Sequence, residues 1–583
     1  MQNVTLLDKY EQNAFYKEVK YLKSLDKNRL LKGFCEIAGR ELDAEKYGGW
    51  ETSAIQGHTL GHYITAVAQA FASSGDIELK AITDYMISVL KECQSENGYL
   101  HAIPESHYDK LETGDTADTW VPWYSMHKIL AGLIDVYTHT GNEDALRIAS
   151  RLGDWVYSHT SKWTEEIQKT VLNIEYGGMN DCLYNLYKYT KSENHLSAAH
   201  SFDELTLFDP LYKGKDILNG KHANTTIPKI IGCLNRYTIT NEEYYLQVAV
   251  NFWDIVIVSH TYITGGNSEW EHFGEPKILD AERTSCNCET CNTYNMLKLT
   301  RELFRITGEK KYSDYYENTF INAILSSQNP ETGMTTYFQP MATGFFKVYS
   351  SPTDHFWCCT GSGMENFSKL GDSIYFSCAD SIFVNRFTSS KFFWKEKGIT
   401  ITQNAELPNV TFTINGSADA KIVLKIPDWC IGTPTVKING ESKCVTVENG
   451  FITLQKIWND GDTIEYEMNM RVVAHPLPDN KNTVAFKYGP WVLSADMGTR
   501  DMKTGVTGVN VTVPLWDDTL SDTLIVEKGS VEKWLQNLES NLVRIGDTLN
   551  FQINGVNQKL IFSPHYKQHT SRYGIYFTLT EKA

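Results

Sequence analysis

The chain is expected to fold as a mainly α (α/α)6 toroid followed by all-β, sandwich-type C-terminal domains, on three observations. Apolar residues recur at helical spacing through the first two thirds, as in HKILAGLIDVYTHT and IPKIIGCLNRYTIT. A polar turn returns at fifty-residue intervals: YTHTGNEDAL, YKYTKSENHL and YTITNEEYYL place Thr140, Thr190 and Thr240 alike. After about Leu370 the pattern changes to short β-branched and aromatic runs separated by turn residues.

FRITGEKKYSDYY repeats the turn at Thr307, FASSGD anticipates it at Ser74, and LGD at Leu370 is a weaker sixth. A helix, a polar turn and a second helix, repeated about six times, describe stacked hairpins. Such hairpins bury their apolar faces only against neighbours, and closing the stack into a ring removes its exposed ends. The expected catalytic barrel is 1–372. SIYFSC, IFVNRF, VTFTING and KIVLKIP then open a β-sandwich over 373–471. A second β-rich domain, 472–583, holds NTVAFKYGPWVL, KLIFSPHY and RYGIYF. Cys430 and Cys444 within these β regions read as packed thiols.

The repeat also locates a site. His58 and His62 precede the Ser74 turn, Trp120 to His127 precede Thr140, and Tyr176 to Asn180 precede Thr190. His222 and Asn224 precede Thr240, Glu271 to Cys291 precede Thr307, and Cys358 and Cys359 precede Leu370. In a ring of equivalent hairpins these helix starts share one rim, so the polar clusters converge on one pocket. The interval from Thr240 to Thr307 exceeds the repeat by seventeen residues, and the excess coincides with Gly265–Cys291. Lengthened loops on a rigid scaffold are where function tends to sit.

That loop, GGNSEWEHFGEPKILDAERTSCNCETC, and the later Trp357-Cys358-Cys359 gather five cysteines and several glutamates. Such thiolates ask for a soft or borderline metal, most often zinc. Two readings stand at this point: a closed structural zinc site, or a nucleophilic thiolate beside a proton donor. His58-Thr-Leu-Gly-His62 has zincin spacing without the zincin glutamate, which excludes a metalloprotease. Both imidazoles fall on one helical face, either lining the pocket or packed in the core. The Gly-Gly pairs at Gly177 and Gly265 carry no phosphate-loop signature and read as points of close backbone approach to a ligand.

Composition bounds the partners. With 42% hydrophobic and 21% charged residues the chain is an ordinary globular protein. A formal net charge of -17 argues against nucleic acid and anionic membranes. Twelve cysteines are too sparse for a disulfide scaffold, and their clustering favours metal binding in a reducing compartment. No signal-type apolar core opens the chain and no run reaches membrane-spanning length, so a cytoplasmic location is expected. The oligomeric state is left unassigned.

TGGNSEWEHF, ETCNTYNMLKLT and FWCCTGSGMEN resemble the zinc-cysteine glycosidases of glycoside hydrolase families 127 and 146, which are retaining β-L-arabinofuranosidases. The likeness runs from about Leu30 to RYGIYF. It implies an (α/α)6 barrel and a Zn2+ held by Glu289, Cys291, Cys358 and Cys359. It also implies Cys358 as nucleophile, Glu271 as acid/base, and an arabinofuranosyl carbohydrate as substrate. His127, His222, Glu317 and Tyr337 match sugar-contacting positions, and the rim residues His58, His62, Trp120 and Asn180 join them as expected contacts. Cys286 and Cys288 depart from the family pattern and stand as competing ligands. Burial beside Trp270 and Phe273 is expected to raise the Glu271 pKa, with Glu275 as the fallback acid. Two rivals are a sugar-binding protein with structural zinc, and an inverting hydrolase or lyase on the same ring.

Overall fold

The computed structural model describes residues 3–515 and 521–582. Among the described helices of the N-terminal region, twelve build two concentric layers: α1 (Lys9–Ser24), α2 (His58–Ser74), α3 (Ile77–Cys93), α4 (Pro122–Thr140), α5 (Glu143–Thr160), α6 (Met179–Thr190), α7 (Glu193–Ser201), α8 (Ala223–Thr240), α9 (Glu243–Ser259), α10 (Thr290–Thr307), α11 (Lys310–Thr319) and α12 (Cys358–Ser368). The even-numbered helices pack each on the next, and α12 returns to α2, closing an inner ring. The odd-numbered helices form the outer layer, each against its hairpin partner. This is the expected (α/α)6 toroid.

The recurring turn has a physical basis. At the end of α2, α4, α6, α8 and α10 a hydroxyl donates to the carbonyl four residues back: Ser74 to Ala70 at 2.7 Å, Thr140 to Val136 at 2.7 Å, Thr190 to Leu186 at 3.2 Å, Thr240 to Arg236 at 3.1 Å and Thr307 to Leu303 at 2.8 Å. The same oxygen accepts from the N–H two residues on, as Asn142 N–H to Thr140 at 3.3 Å. Between them a left-handed residue (Gly75, Gly141, Lys191, Asn241 or Gly308) ends the helix. One side chain thus ends one helix and aims the next. The sixth turn is different. After α12 the chain enters a strand, Tyr375–Ser377, and α1 from the N-terminal end supplies the missing outer helix.

Beyond the toroid, a seven-stranded and a five-stranded sheet face each other over Trp394, Ile401, Phe412, Ile422 and Trp458. The seven-stranded sheet takes its edge from the N-terminal end, where Val4–Leu6 pairs antiparallel with Ser390–Trp394. A nine-stranded sheet follows, with its own core around Phe486, Leu493, Phe562 and Phe577. In these regions Cys430 is half-buried and Cys444 is exposed, so the expectation of packing fails for Cys444. No helix among the described residues is long and apolar enough to cross a membrane.

The seam between toroid and sandwich corrects one site expectation. Glu317, in the last turn of α11, faces away from the rim and accepts hydrogen bonds from Lys425 Nζ (3.1 Å), Trp429 Nε1 (3.3 Å) and Phe387 N–H (3.1 Å). Beside it Glu11 accepts from both Arg386 terminal nitrogens at 3.2 Å. Glu317 is consumed by a buried interdomain ion pair and is not a sugar contact.

Candidate catalytic centre

The inner helices present their first residues to one rim. Cys358 and Cys359 open α12, Cys291 is the second residue of α10, and Glu289 is its N-cap. Two helix N-termini therefore converge on one spot, an environment that favours anions and thiolates. Each of these four side chains places a ligand atom within 4.8 Å of all the others, and all four are buried. Glu289 Oε1 lies 3.6 Å from Cys358 Sγ and 3.5 Å from Cys359 Sγ, while Cys359 and Cys291 sulfurs are 3.3 Å apart.

Electrostatically the cluster is unresolved on its own. Burial pushes the Cys358 and Cys359 thiols and the Glu289 carboxyl well above their ordinary ranges. For Cys291 burial also acts upward, but hydrogen bonds from the Cys358 and Cys359 thiols, aided by the Lys128 charge, bring it down to about 7. Glu289 Oε2 is buried with no hydrogen-bond partner among the described residues. Three sulfurs and a carboxylate with one orphaned oxygen could hold a metal ion, and a dication there would let all four groups ionise. Cys286 and Cys288 are outside this set: Cys286 meets Ser285 Oγ at 3.5 Å, and Cys288 is packed under Gly266 in an apolar cluster with Tyr262 and Tyr573.

Beside the cluster stands Glu271. Its two oxygens accept from the Tyr337 hydroxyl and, at 3.2 Å, pair with His222 Nε2. The Tyr337 hydroxyl is also 3.5 Å from Cys358 Sγ, so one phenol oxygen touches both groups. The loop that carries Glu271 holds Ser268, Trp270, Glu271, Lys277 and Cys288 at positive φ. Non-glycine residues in that region store strain, which clusters at functional sites. The expected rise of the Glu271 pKa does not occur. Burial acts upward, but the His222 and Tyr337 hydrogen bonds outweigh it and hold the carboxyl below its ordinary range. His222 moves oppositely: burial lowers it, and Glu271 with Glu175 raises it above its ordinary value. Glu275 is exposed and accepts from Asn219, away from the centre.

A family model described as "Beta-L-arabinofuranosidase, GH127 catalytic domain" matches residues 3–372. The chain belongs to the GH127 β-L-arabinofuranosidase family. It is therefore a glycoside hydrolase, with a carbohydrate substrate. The GH127 middle domain matches 381–470, and a domain of unknown function matches 473–579. The chain is 21% identical over 569 residues to a non-reducing end β-L-arabinofuranosidase of Bifidobacterium longum subsp. longum, covering 85% of this chain and 84% of the relative. In fold it is similar to a GH127 β-L-arabinofuranosidase of Geobacillus stearothermophilus T6 (TM-score 0.72, 18% identity, 100% of both chains). A GH127 β-arabinofuranosidase structure is similar too, with TM-score 0.73 at 18% identity over 99% of this chain and 97% of the other.

Around the GH127 centre the other expected contacts divide. Trp120, at φ 42°, packs edge-on to Trp50 at the rim. His58 and His127 are buried at helix starts, His58 Nδ1 near the Ile55 carbonyl at 3.0 Å and His127 Nδ1 accepting from Gly178 N–H at 3.1 Å. His62 Nδ1 is held by Glu365 at 2.6 Å, while its Nε2 is buried without a hydrogen-bond partner among the described residues. Asn180 is spent within the barrel on Asp203 (3.1 Å) and the Lys229 carbonyl (3.0 Å). The glycine pairs admit side chains instead of ligand: a Cβ on Gly178 would lie 3.0 Å from the His127 ring, and one on Gly265 would lie 2.0 Å from Thr319 Oγ1.

Three neighbours of the centre escaped the sequence reading. Ser362 Oγ is 3.2 Å from Cys291 Sγ, and one helical turn from Cys358 its position was inferable. Glu365 anchors His62 and accepts from Tyr294, with no local signal. The ribbon Thr504–Pro514 of the C-terminal β region reaches the rim and packs Val511 and Val513 into the apolar cluster that also holds Tyr337 and Cys358. No pattern in its own sequence announces that contact.

Proposed function

We propose that this chain is a retaining glycosidase releasing L-arabinofuranose from β-L-arabinofuranosides, with Cys358 as nucleophile and Glu271 as acid/base. Glu289, Cys291, Cys358 and Cys359 would hold a zinc ion, since thiolate-rich tetrahedral sets suit zinc. When bound, the ion keeps the thiols deprotonated and fixed in position. The observation that carries the reading is the shared Tyr337 hydroxyl, which contacts both Glu271 and Cys358 Sγ. That juxtaposition suits the separation of roughly 5 Å between the two groups of a retaining pair.

In this reading the Cys358 sulfur attacks the anomeric carbon while Glu271 protonates the departing oxygen. Glu271 then takes a proton from water as that water cleaves the thioglycosyl-enzyme. The His222–Glu271 pair holds the proton at rest, and the excess negative charge of three thiolates and a carboxylate favours keeping it there. His58, His62, Trp120, His127 and Tyr337 would line the sugar pocket, with Asn180 bracing its wall from behind.

A panel of 4-nitrophenyl glycosides, including both anomers of L-arabinofuranose, tests this with zinc measured on the same sample. The β-L anomer should be cleaved, with first-formed product of β configuration by NMR and about one zinc per chain. Cleavage with inversion, or activity in zinc-free protein, would overturn the mechanism. Preference for another glycone would overturn the substrate.

A further inference from the structure

The ribbon that the C-terminal β region sends to the rim is fastened at both ends. Thr504–Thr507 pairs antiparallel with Val511–Pro514 across a Gly508-Val509-Asn510 turn. At the tip, the Val509 carbonyl accepts from Trp50 Nε1 at 2.7 Å and the Asn510 carbonyl from Trp357 Nε1 at 3.1 Å. Trp357 immediately precedes Cys358. At the base, the Arg572 guanidinium donates to the carbonyls of Arg500 (2.7 Å), Asp501 and, in the toroid region, Gly344 (2.7 Å). Val511 and Val513 are 2% and 6% exposed. An element held this way is a wall, not a lid.

Its outer face is the opposite. Val506 is 66% exposed, Val509 46%, and Trp270 beside them 38%. A Cβ built on Gly508 would sit 3.9 Å from the Trp270 ring, in ordinary contact, so ribbon tip and indole form one surface. Trp270 directly precedes Glu271. The group that receives the proton from Glu271 belongs to the leaving group, so whatever lies outward of Glu271 meets the leaving group and not the glycone. An open aromatic and aliphatic surface there suits the C–H face of a sugar ring, whose hydroxyls stay in water.

We propose that the Thr504–Pro514 ribbon, with Trp270, forms the leaving-group wall of the active-site pocket, and that Gly508 and Val509 of the C-terminal β region select saccharide leaving groups. This rests on the glycosidase reading above and adds the acceptor side to it. The wall acts on the bond-breaking step only when the leaving group is large enough to reach it.

Two methyl-versus-saccharide substrates sharing a glycone read this directly: methyl β-L-arabinofuranoside, and a disaccharide with β-L-arabinofuranose at its non-reducing end. Both need a proton on the leaving oxygen, but only the disaccharide reaches the ribbon. Gly508→Asn keeps the left-handed backbone that Asn tolerates and sets an amide beside Trp270. Val509→Asp places a charge on the wall without touching the carbonyl that Trp50 holds. In each variant the ratio of kcat/KM for disaccharide over methyl glycoside should fall about tenfold, the scale of one lost apolar contact. An unchanged ratio, whether both rates fall together or neither does, overturns the proposal and leaves the ribbon a brace for Trp50 and Trp357. Either variant suffices if the other does not fold. Wild-type cleavage of the methyl glycoside is read first. If another glycone is preferred, the same pair is made with that glycone, so the two readings fail separately. If no methyl glycoside or disaccharide is cleaved, both fall.

Discussion

Two clusters of buried charge sit about the toroid, and they follow opposite rules. In the seam with the sandwich, every oxygen of Glu11 and Glu317 meets a donor, from Arg386, Thr388, Lys425, Trp429 or the Phe387 N–H. At the rim, Glu289, Cys291, Cys358 and Cys359 crowd together, and among the described residues no cationic side chain hydrogen-bonds to any of them. Burying charge costs several kcal/mol per ion unless it is paired. A seam that must only hold domains together satisfies that cost within the protein. A site that leaves it open could take a cation from outside.

The largest effect that would break this contrast is at the proposed nucleophile. Cys358→Ser should lower turnover by on the order of 10⁴-fold or more, as loss of a nucleophile does elsewhere, with the circular dichroism spectrum of the folded chain retained. Near wild-type rate would make Cys358 a structural ligand, and the rim merely a second seam. Cys291→Ser should lose metal and thermal stability together, because metal binding and local folding are coupled. Full metal content in that variant would return Cys286 or Cys288 as ligands.

Glu271→Gln sharpens the contrast by leaving group. A natural glycoside needs a proton on its departing oxygen and a 4-nitrophenolate does not. The variant should therefore lose a factor of about 10² to 10⁴ on the former and far less in the first step of the latter. A burst of nitrophenol followed by slow turnover, accelerated by azide, is the expected trace. Equal losses on both substrates and no response to azide would move the acid/base elsewhere.

In the seam the expected loss is of stability, not chemistry. Glu317→Gln leaves buried Lys425 with only the more distant Asp314 carboxylate at 3.8 Å as counter-charge, which costs up to about 3–5 kcal/mol. Denaturant titration reads that loss, and kcat/KM per folded molecule should stay at the wild-type value. A stable variant with reduced kcat/KM would show that Glu317 acts on substrate after all.

The toroid was legible because its signal is local and repeated: the same hydroxyl ends five helices, so Thr140, Thr190 and Thr240 announce the architecture. The sixth hairpin was misread because its outer helix comes from the opposite end of the chain, a long-range choice that no turn encodes. Among the candidate site residues, those at inner-helix starts were placed on one rim by the repeat, while their roles came from the family resemblance. Glu317 was not, since a carboxylate's destination depends on which face of α11 meets the sandwich, and Lys425 lies 108 residues away. The ribbon at Val509 was invisible for the same reason. The sign of the Glu271 shift was missed because burial could be guessed from Trp270 and Phe273, while the donors on Tyr337 and His222 could not.

That last pair supplies the smallest and sharpest test. Glu271 is held below its ordinary pKa and His222 above its own, so each favours the other's charged form. A lowered carboxyl contributes stability that is present above its ordinary value and lost as pH falls through the folded one. A raised imidazole contributes stability that is present below its ordinary value and lost as pH rises through the folded one. The pair therefore stabilises the fold between the two folded values, and His222→Asn should flatten the stability–pH curve across that window. The same substitution removes the chief force opposing burial at Glu271, so its pKa rises. With a disaccharide substrate, the basic limb of kcat/KM should then move from the value at which the pair loses its shared proton to the value of Glu271 alone. A limb that stays in place while stability flattens would mean that Glu271 pairs with His222 but is not the proton donor, and the acid would have to be sought elsewhere on the rim.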